Sequence, residues 1–417
     1  MDVKNPRKKN QALRNIEYYD MQSELDELFR KSQKGETFNN LLDIISSENN
    51  ICLAYRKIKN NDGSETKGTD HKTIEFWENL PAGVFIKYFQ GKFQNYKPKS
   101  VRRTEIPKAG KPGETRPLGI PCMDDRLIQQ CILQVLEPIC EAHFHNHSYG
   151  FRPNRSTEHA YNRLDSLVIK GYHYIVDIDI KGFFDNVNHG KLLKQLWTLG
   201  IQDKNLLSII SKILKSEIEG IGISKKGTPQ GGIISPLLSN VVLNELDWWL
   251  SNQWETLETR HNYTHCHKYR ALMKTSKLKT FYFVRYADDF KIVCKDYKTA
   301  LRIFAATRHW LQERLRLEIN PNKSKITNVR KGKSEFLGIS LYVKWNKKHE
   351  KFTTRSNIAE KAQKTVTESL KEQIKQIQKH PTAQEVNELN SMILGVHNYY
   401  NMATLCSQDF GKINFIV

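Results

Sequence analysis

The stretch Phe283-Val284-Arg285-Tyr286-Ala287-Asp288-Asp289-Phe290 sets two adjacent acids between apolar residues. Its aromatic and β-branched content reads as strand, turn, strand. A carboxylate withdrawn from water without a partner costs far more than a surface pair returns. Acids held at a tight turn between apolar strands therefore suit a bound cation, while an ordinary Asp-Asp hairpin turn gives the same short string.

Which reading holds depends on what the chain handles. Lys and Arg number 65 against 45 Asp and Glu, a formal charge of +20 over 417 residues. An excess of that size speaks of partners and solubility, not of fold. Nucleic acid is the commonest long polyanion, with an anionic membrane surface as the competitor. No apolar run approaches membrane-spanning length, and the opening Met1-Asp2-Val3-Lys4-Asn5-Pro6 is polar, so no membrane partner is expected. The 7 cysteines are scattered without a C-x-x-C pair. That argues for reduced thiols and a cytoplasmic location, and against a zinc ribbon. His143, His145 and His147 would share one face if they lay on a strand. No Cys or acid joins them in a ligand pattern, so packing or RNA contact is preferred to a metal.

The chain is long enough for two or three domains. Residues 1–36 are polar and helical in tendency, with Leu25, Leu28 and Phe29 as a small apolar stripe. A second helical pattern runs from Phe38 to Lys59. Between Val101 and Pro121, short strands flank a basic hairpin tip around Lys108-Ala109-Gly110-Lys111-Pro112-Gly113. From Leu127 to Ile139 apolar residues recur at helical spacing, and Pro138 is expected to end or kink that helix. Tyr174 to Ile180 alternates apolar and acidic residues, a strand with one polar face. Helices are expected at about 189–216, 235–251 and 298–315, and a strand over Phe336–Leu341. The basic stretch 251–280 fits no recognised motif. Mixed helices and strands without a regular rhythm point to an α+β fold.

The end of the chain changes character. Ile358, Ala362, Val366, Leu370, Ile374 and Ile377 make one helical stripe, broken by Pro381. Thr382 and Glu385 form a capping box for a second helix. Phe410, Ile413, Phe415, Ile416 and Val417 then read as an apolar tail without a visible partner helix, as if a helical domain were incomplete.

Three acids in two segments suit a site for two cations. Asp179 near the end of one strand can converge with Asp288 and Asp289 on paired magnesium ions. Such ions activate a 3′-hydroxyl and stabilise a leaving pyrophosphate in an in-line displacement. Oxygen ligands favour magnesium over zinc. Asp177 competes with Asp179, because residues two apart on a strand share a face. Spacing alone leaves both open.

Several motifs resemble those of group II intron reverse transcriptases, in the right order. They are Arg116-Pro117-Leu118-Gly119-Ile120-Pro121, Ser148-Tyr149-Gly150-Phe151-Arg152-Pro153-Asn154-Arg155-Ser156, and Asp179-Ile180-Lys181-Gly182-Phe183-Phe184-Asp185 with Asn188-His189. Gly227-Thr228-Pro229-Gln230-Gly231-Gly232 and Tyr286-Ala287-Asp288-Asp289 complete the set. The match runs from about residue 38 to about 404. The resemblance implies a right-hand polymerase fold: a 1–36 extension, fingers over 37–170, an antiparallel-sheet palm over 171–345 and a helical thumb over 346–417. It implies RNA-directed DNA synthesis with two magnesium ions, deoxynucleoside triphosphates, an RNA template and a DNA or RNA primer. Binding of a parent group II intron RNA, aiding its splicing and retrohoming, is the second implied activity.

Residue by residue, the resemblance gives Asp179, Asp288 and Asp289 the metals, with the Ile180 carbonyl as a further ligand. Phe184 lies under the incoming sugar, with Phe183 as the rival ring. Lys108 and Arg116 fold over the triphosphate, and Gln230 meets nucleotide or template. Lys323 sits near the pyrophosphate, with Lys325 a close rival, and Phe336-Leu337-Gly338 resembles the strand that grips the primer end. Gly231 and Gly232 let backbone approach the substrate closely. Two other functions compete: a splicing factor that binds RNA without catalysis, and a domesticated reverse transcriptase in phage defence or spacer acquisition.

Overall fold

Helices and antiparallel strands mix along the chain, giving the α+β class expected. The computed structural model describes residues 11–107, 113, 115–229 and 231–417. Its strands are β1 Arg102–Pro107, β2 Thr115–Ile120, β3 Tyr174–Ile178, β4 Glu217–Ile218, β5 Gly222–Ile223, β6 Phe281–Tyr286, β7 Asp289–Cys294, β8 Lys325–Asn328, β9 Ser334–Phe336, β10 Ile339–Asn346 and β11 Lys351–Ile358. Two compact units interleave in sequence. The first takes in the described residues of 1–106, 116–145 and 182–245, and the second those of 107–115, 146–181 and 246–417.

The first unit is built on the helix Met123–Glu141, whose Leu127, Ile128, Ile132, Val135, Leu136 and Ile139 are fully buried. Each such side chain contributes about 1.5–3 kcal/mol by leaving water. Helices Gln22–Gln33 and Glu48–Lys59 pack along it. Buried polar pins set their positions. Ser32 Oγ donates to the Ile139 carbonyl at 2.9 Å, and Asn50 Nδ2 to the Cys131 carbonyl at 3.1 Å. Pro138 does not end the helix, which runs on to Glu141. Placed in the last turn, the ring removes one N–H donor where little helix remains to disrupt. The single helical pattern of 38–59 is two helices, Leu41–Ile45 and Glu48–Lys59, because Ser47 turns extended and caps the second. Likewise 189–216 is two helices, His189–Thr198 and Lys204–Leu214, parted at Gly200 (φ +93°) and restarted by the cap Asp203.

The second unit holds a four-stranded antiparallel sheet in the order β6-β7-β3-β8 and a three-stranded sheet β11-β10-β9. Tyr161, Leu164 and Val168 of the helix Thr157–Ile169 join Ile175, Val284, Val293, Phe336, Ile339 and Leu341 in one core. The strand expected over Phe336–Leu341 is instead a hairpin. Leu337 and Gly338 both take left-handed backbone, φ +53° and +76°, so β10 folds back on β9 with Ile339 opposite Phe336. The primer-gripping segment of the resemblance is thus a turn, against which Tyr399 donates its hydroxyl proton to the Leu337 carbonyl at 3.2 Å. The helix near 298–315 is Tyr297–Trp310 with a π-turn through Leu315, and the 251–280 stretch carries a helix, His265–Thr275.

Three helices close the second unit: Glu360–Lys379, Ala383–Tyr400 and Cys406–Ile416. Thr382 caps the second by accepting from the Glu385 N–H at 3.3 Å, while the Glu385 carboxylate accepts from Gln373 Nε2 at 2.7 Å. The apolar tail does have partners. Ile413 is buried against Ile358 and Leu370, and the fully buried Asp409 accepts from the Ile358 N–H at 2.8 Å. Phe415, Ile416 and Val417 remain exposed. The periodicity of 410–417 was too short to show a helix that starts at Cys406.

Candidate active site

The Asp288-Asp289 turn closes the β6–β7 hairpin. Tyr286 pairs with Asp289 across the β6–β7 hairpin, which leaves Ala287 and Asp288 as the two turn residues. Ala287 takes a φ of +56°. Left-handed backbone costs a non-glycine residue about 1–2 kcal/mol, so the surroundings must hold it. Three contacts do. Residues 147–149 run parallel to β6, with the Arg285 N–H donating to the His147 carbonyl at 3.0 Å and the Tyr149 N–H to the Arg285 carbonyl at 2.9 Å. Gly150 then lies on the turn so closely that a Cβ there would stand 2.3 Å from the Ala287 nitrogen. Arg285 is 1% exposed and donates through Nη1 to the Ala287 carbonyl at 2.8 Å.

Asp179 follows β3 directly. Asp177 pairs with Lys291 and Ile178 with Phe290, where the pairing of β3 and β7 ends; the same register continued by one residue would set Asp179 opposite Asp289. Neighbouring strands lie about 4.8 Å apart, and opposite residues share a face. The backbone past β3 is tied on its other edge. The Asn320 N–H donates to the Asp179 carbonyl at 2.7 Å and the Lys181 N–H to the Glu318 carbonyl at 2.8 Å. In this antiparallel bridge of Ile180 with Ile319, the Ile180 carbonyl points to the opposite edge, the side of β7.

Asp177 on β3 and Asp179 just after it have different surroundings. Asp177 is 6% exposed. Its carboxylate accepts from Lys291 Nζ at 2.7 Å, Ser334 Oγ at 3.1 Å and Thr327 Oγ1 at 3.4 Å. Asp179 is more open, its side chain 40% exposed with Lys323 Nζ at 3.4 Å. Lys291 also reaches Asp289, at 3.6 Å. Crowding by protein pushes the Asp289 carboxyl above its usual range; Lys291 pulls it back, Asp177 and Asp288 push it further, and the balance is upward. Burial works against the charge on Lys291, but Asp289 and Asp177 outweigh it and hold the ammonium charged.

Phe183, Phe184, Arg116 and the 227–232 glycines lie in the first unit. Phe183 is buried, whereas Phe184 is half-buried and meets it edge-on at 5.4 Å. The 227–229 turn is stitched to this segment. The Thr228 N–H donates to the Phe184 carbonyl and the Gly227 N–H to the Val187 carbonyl, both at 2.7 Å. At Gly231 (φ +105°) a Cβ would stand 2.3 Å from the Gly119 carbonyl oxygen, so the close approach seen there is to β2 of the same chain. Arg116 is exposed on β2. Lys108 and Gln230 lie outside the described residues. The 143–147 segment is turn, not strand, and His147 pairs with Glu255 at 3.0 Å.

The donor chemistry fits a hard cation: carboxylates with solvent access and a backbone carbonyl aimed at the same edge, all oxygen. Among the described residues, no three His, Cys, Asp or Glu side chains are gathered into a ligand cluster. Asp179 and Asp289 lean on ammonium groups instead.

Sequence reasoning missed Lys291, Asp247 and the role of Gly150. The signals were present. Lys291 is a lone cation in the run Phe290-Lys291-Ile292-Val293-Cys294, and Arg285 is one in Phe283-Val284-Arg285-Tyr286. A charge inside an apolar strand demands a partner elsewhere.

The family model of reverse transcriptase (RNA-dependent DNA polymerase) matches residues 106–341. Protein YkfC of Escherichia coli (strain K12) is 32% identical over 310 residues, 70% of this chain and 80% of YkfC. Group II intron-encoded protein LtrA of Lactococcus lactis subsp. cremoris is 31% identical over 363 residues, 77% of this chain and 60% of LtrA. The putative COX1/OXI3 intron 2 protein of Saccharomyces cerevisiae is 26% identical over 462 residues, 95% of this chain and 53% of that protein. The chain thus spans less than two thirds of these two intron-encoded relatives. With the motifs, the sheet and the family match in agreement, the chain belongs to the reverse transcriptase (RNA-dependent DNA polymerase) family.

Proposed function

We propose that this chain copies RNA into DNA by nucleotidyl transfer at the end of β3 and β7. The observation that carries the reading is the β3–β7 pairing, which ends one residue before Asp179 and one after Asp289, beside a turn whose left-handed backbone is held by Arg285 and Gly150. In this reading Asp179, Asp288, Asp289 and the Ile180 carbonyl hold two magnesium ions. When bound, the ions activate the primer 3′-hydroxyl and offset charge on the departing pyrophosphate. Asp177, engaged by Lys291 and Ser334, serves the sheet rather than the metals. Phe184 lies under the incoming sugar and turns away a 2′-hydroxyl by bulk. Lys108 and Arg116 hold the triphosphate, Gln230 meets nucleotide or template, and Lys323 receives the pyrophosphate.

On this reading residues 37–170 act as fingers, 171–345 as palm and 346–417 as thumb, with 1–36 as an extension. The intron-encoded relatives support a second activity, binding a group II intron RNA to promote its splicing and retrohoming. The cysteines described are free thiols, which supports a reducing compartment such as the cytoplasm. Among the described residues no helix is long and apolar enough to cross a membrane.

Primer extension on a defined RNA template tests the reading. Asp288→Asn should reduce extension to background while RNA affinity stays within about twofold, because phosphate contacts spread over many cations carry the affinity. Extension above a trace by that variant would sink the metal assignment. No RNA-templated extension by the unaltered chain would sink the polymerase reading itself.

A further inference from the structure

The helices His189–Thr198 and Lys204–Leu214 turn Leu192, Leu196, Leu206, Ile210 and Ile213 inward. On their outer side they leave a groove of about 610 Å³, closed by Pro98. That volume suits one ligand of nucleotide size. Its floor is apolar, made by Leu193, Leu207 and the ring of Trp197. Trp197 is 40% exposed. An indole face left in water on a rigid helix is the kind of platform on which a nucleobase stacks.

The rim adds the complementary charge. Lys194, Lys204, Lys212 and Lys215 line the groove and no carboxylate does. The acid nearest in sequence, Asp203, is 3% exposed and faces inward. It accepts from the N–H groups of Leu42, Asn205 and Leu206, so it does not neutralise the rim. Lys212 Nζ is fixed by donating to the Tyr96 carbonyl at 3.0 Å. The other three lysines are exposed and free to reach outward.

We propose that this groove binds single-stranded RNA, one base stacking on Trp197 and the flanking phosphates meeting Lys194, Lys204 and Lys215. The proposal rests on the reading that the chain handles RNA, and it adds a place for RNA built from residues other than those that carry the chemistry. An acidic peptide would use the lysines but would gain little from a bare indole. A base joined to phosphates uses both.

The test uses the full chain and a short fluorescent oligouridine, with anisotropy followed across a salt series. Trp197→Ala should weaken binding on the order of tenfold with an unchanged salt slope, and Trp197→Phe should keep most of the affinity. The combined Lys194→Gln, Lys204→Gln, Lys215→Gln variant should lower the slope of log affinity against log salt by about 2, the share of three phosphate contacts on a single strand. Extension of a short primer on a short RNA template should stay within about twofold in all of them, since none of these residues is assigned to the metals, the triphosphate or the sugar. Unchanged affinity in Trp197→Ala, or a change in salt slope without any effect at Trp197, overturns the proposal and leaves the polymerase reading intact. Weakened RNA binding by these variants of a chain with no extension activity sinks the polymerase reading and keeps the groove. Should Trp197→Ala unfold, the lysine variant and Trp197→Phe decide, because they keep the ring or alter only exposed side chains.

Discussion

Arg285 and Asp247 close a two-pronged ion pair inside the second unit, with Nε to Oδ1 at 2.8 Å and Nη2 to Oδ2 at 2.6 Å. Both side chains are 1% exposed. The third prong of the same guanidinium holds the Ala287 carbonyl. The helix Ser235–Asn252, which bears Asp247, is thereby joined to the hairpin turn that presents Asp288 and Asp289. A planar guanidinium presents these donors in one rigid fork, an arrangement that the tetrahedral ammonium of a lysine does not match.

Asp247→Ala should therefore cost about 3–5 kcal/mol of stability, because it leaves a buried cation without its partner. Urea unfolding measures this. Replacing both partners with apolar residues, Arg285→Met with Asp247→Leu, should recover most of that loss. It should not recover RNA-templated extension, since the Ala287 carbonyl has lost its donor. Full activity in the double variant would show that the pair only fills space.

Two glycine substitutions should move in opposite directions. At Gly150 a Cβ would press on the Ala287 nitrogen from 2.3 Å. Gly150→Ala should cost about 1–3 kcal/mol and impair extension, because the turn must shift to admit the methyl group. Gly411, on the helix Cys406–Ile416, has open space around its missing Cβ. Gly411→Ala should stabilise by about 0.5–1 kcal/mol with no effect on extension. Thermal unfolding with an extension assay checks both, and equal effects at the two sites would contradict the close approach at Gly150.

Much of the site was legible because its signals are local. Alternation along 174–178 gives a strand with one polar face, and two acids between apolar runs give the turn. The spacing alone did not choose between Asp177 and Asp179; the resemblance did. What engages Asp177, namely Lys291, Thr327 and Ser334, could not be read from spacing, because these residues reach it only when β7, β8 and β9 assemble. The same holds for Asp247, a helix residue whose partner lies 38 positions away. The Leu337–Gly338 reversal was missed for a different reason. Apolar residues flank it on both sides and read as one strand, although a glycine within a strand is itself a sign of a bend.

In the first unit, Asp125 should give the fold a measurable pH dependence. Burial raises its pKa from 3.8 to about 6, against hydrogen bonds from the Tyr96 hydroxyl and the Lys99 N–H that favour the charged form; Asp124 pushes it further up and Lys99 pulls it down. The folded chain keeps this proton over a range where the unfolded chain has released it. The resulting stability is full below about pH 4 and is lost as pH rises through about 6, a swing of about 3 kcal/mol. Asp125→Asn has no proton to lose there. Subtracting its unfolding free energy from that of the unaltered chain should give a difference that falls between those pH values, and parallel profiles would refute the assignment.

Phe184→Ala should admit ribonucleotides. The four-residue turn Phe183–Asn186 follows Gly182 (φ +52°) and sends Phe183 into the core, 2% exposed, while Phe184 stays half-buried. Only the second ring can be removed without opening a core cavity. Phe183→Ala should cost about 3–5 kcal/mol in stability. Phe184→Ala should be far milder for the fold and raise the ratio of ribo- to deoxynucleotide incorporation by about 10- to 100-fold, the discrimination that shape alone supplies. Single-nucleotide incorporation with each triphosphate measures the ratio. A rise with Phe183→Ala and none with Phe184→Ala would mean that the buried ring, not the open one, sits under the sugar.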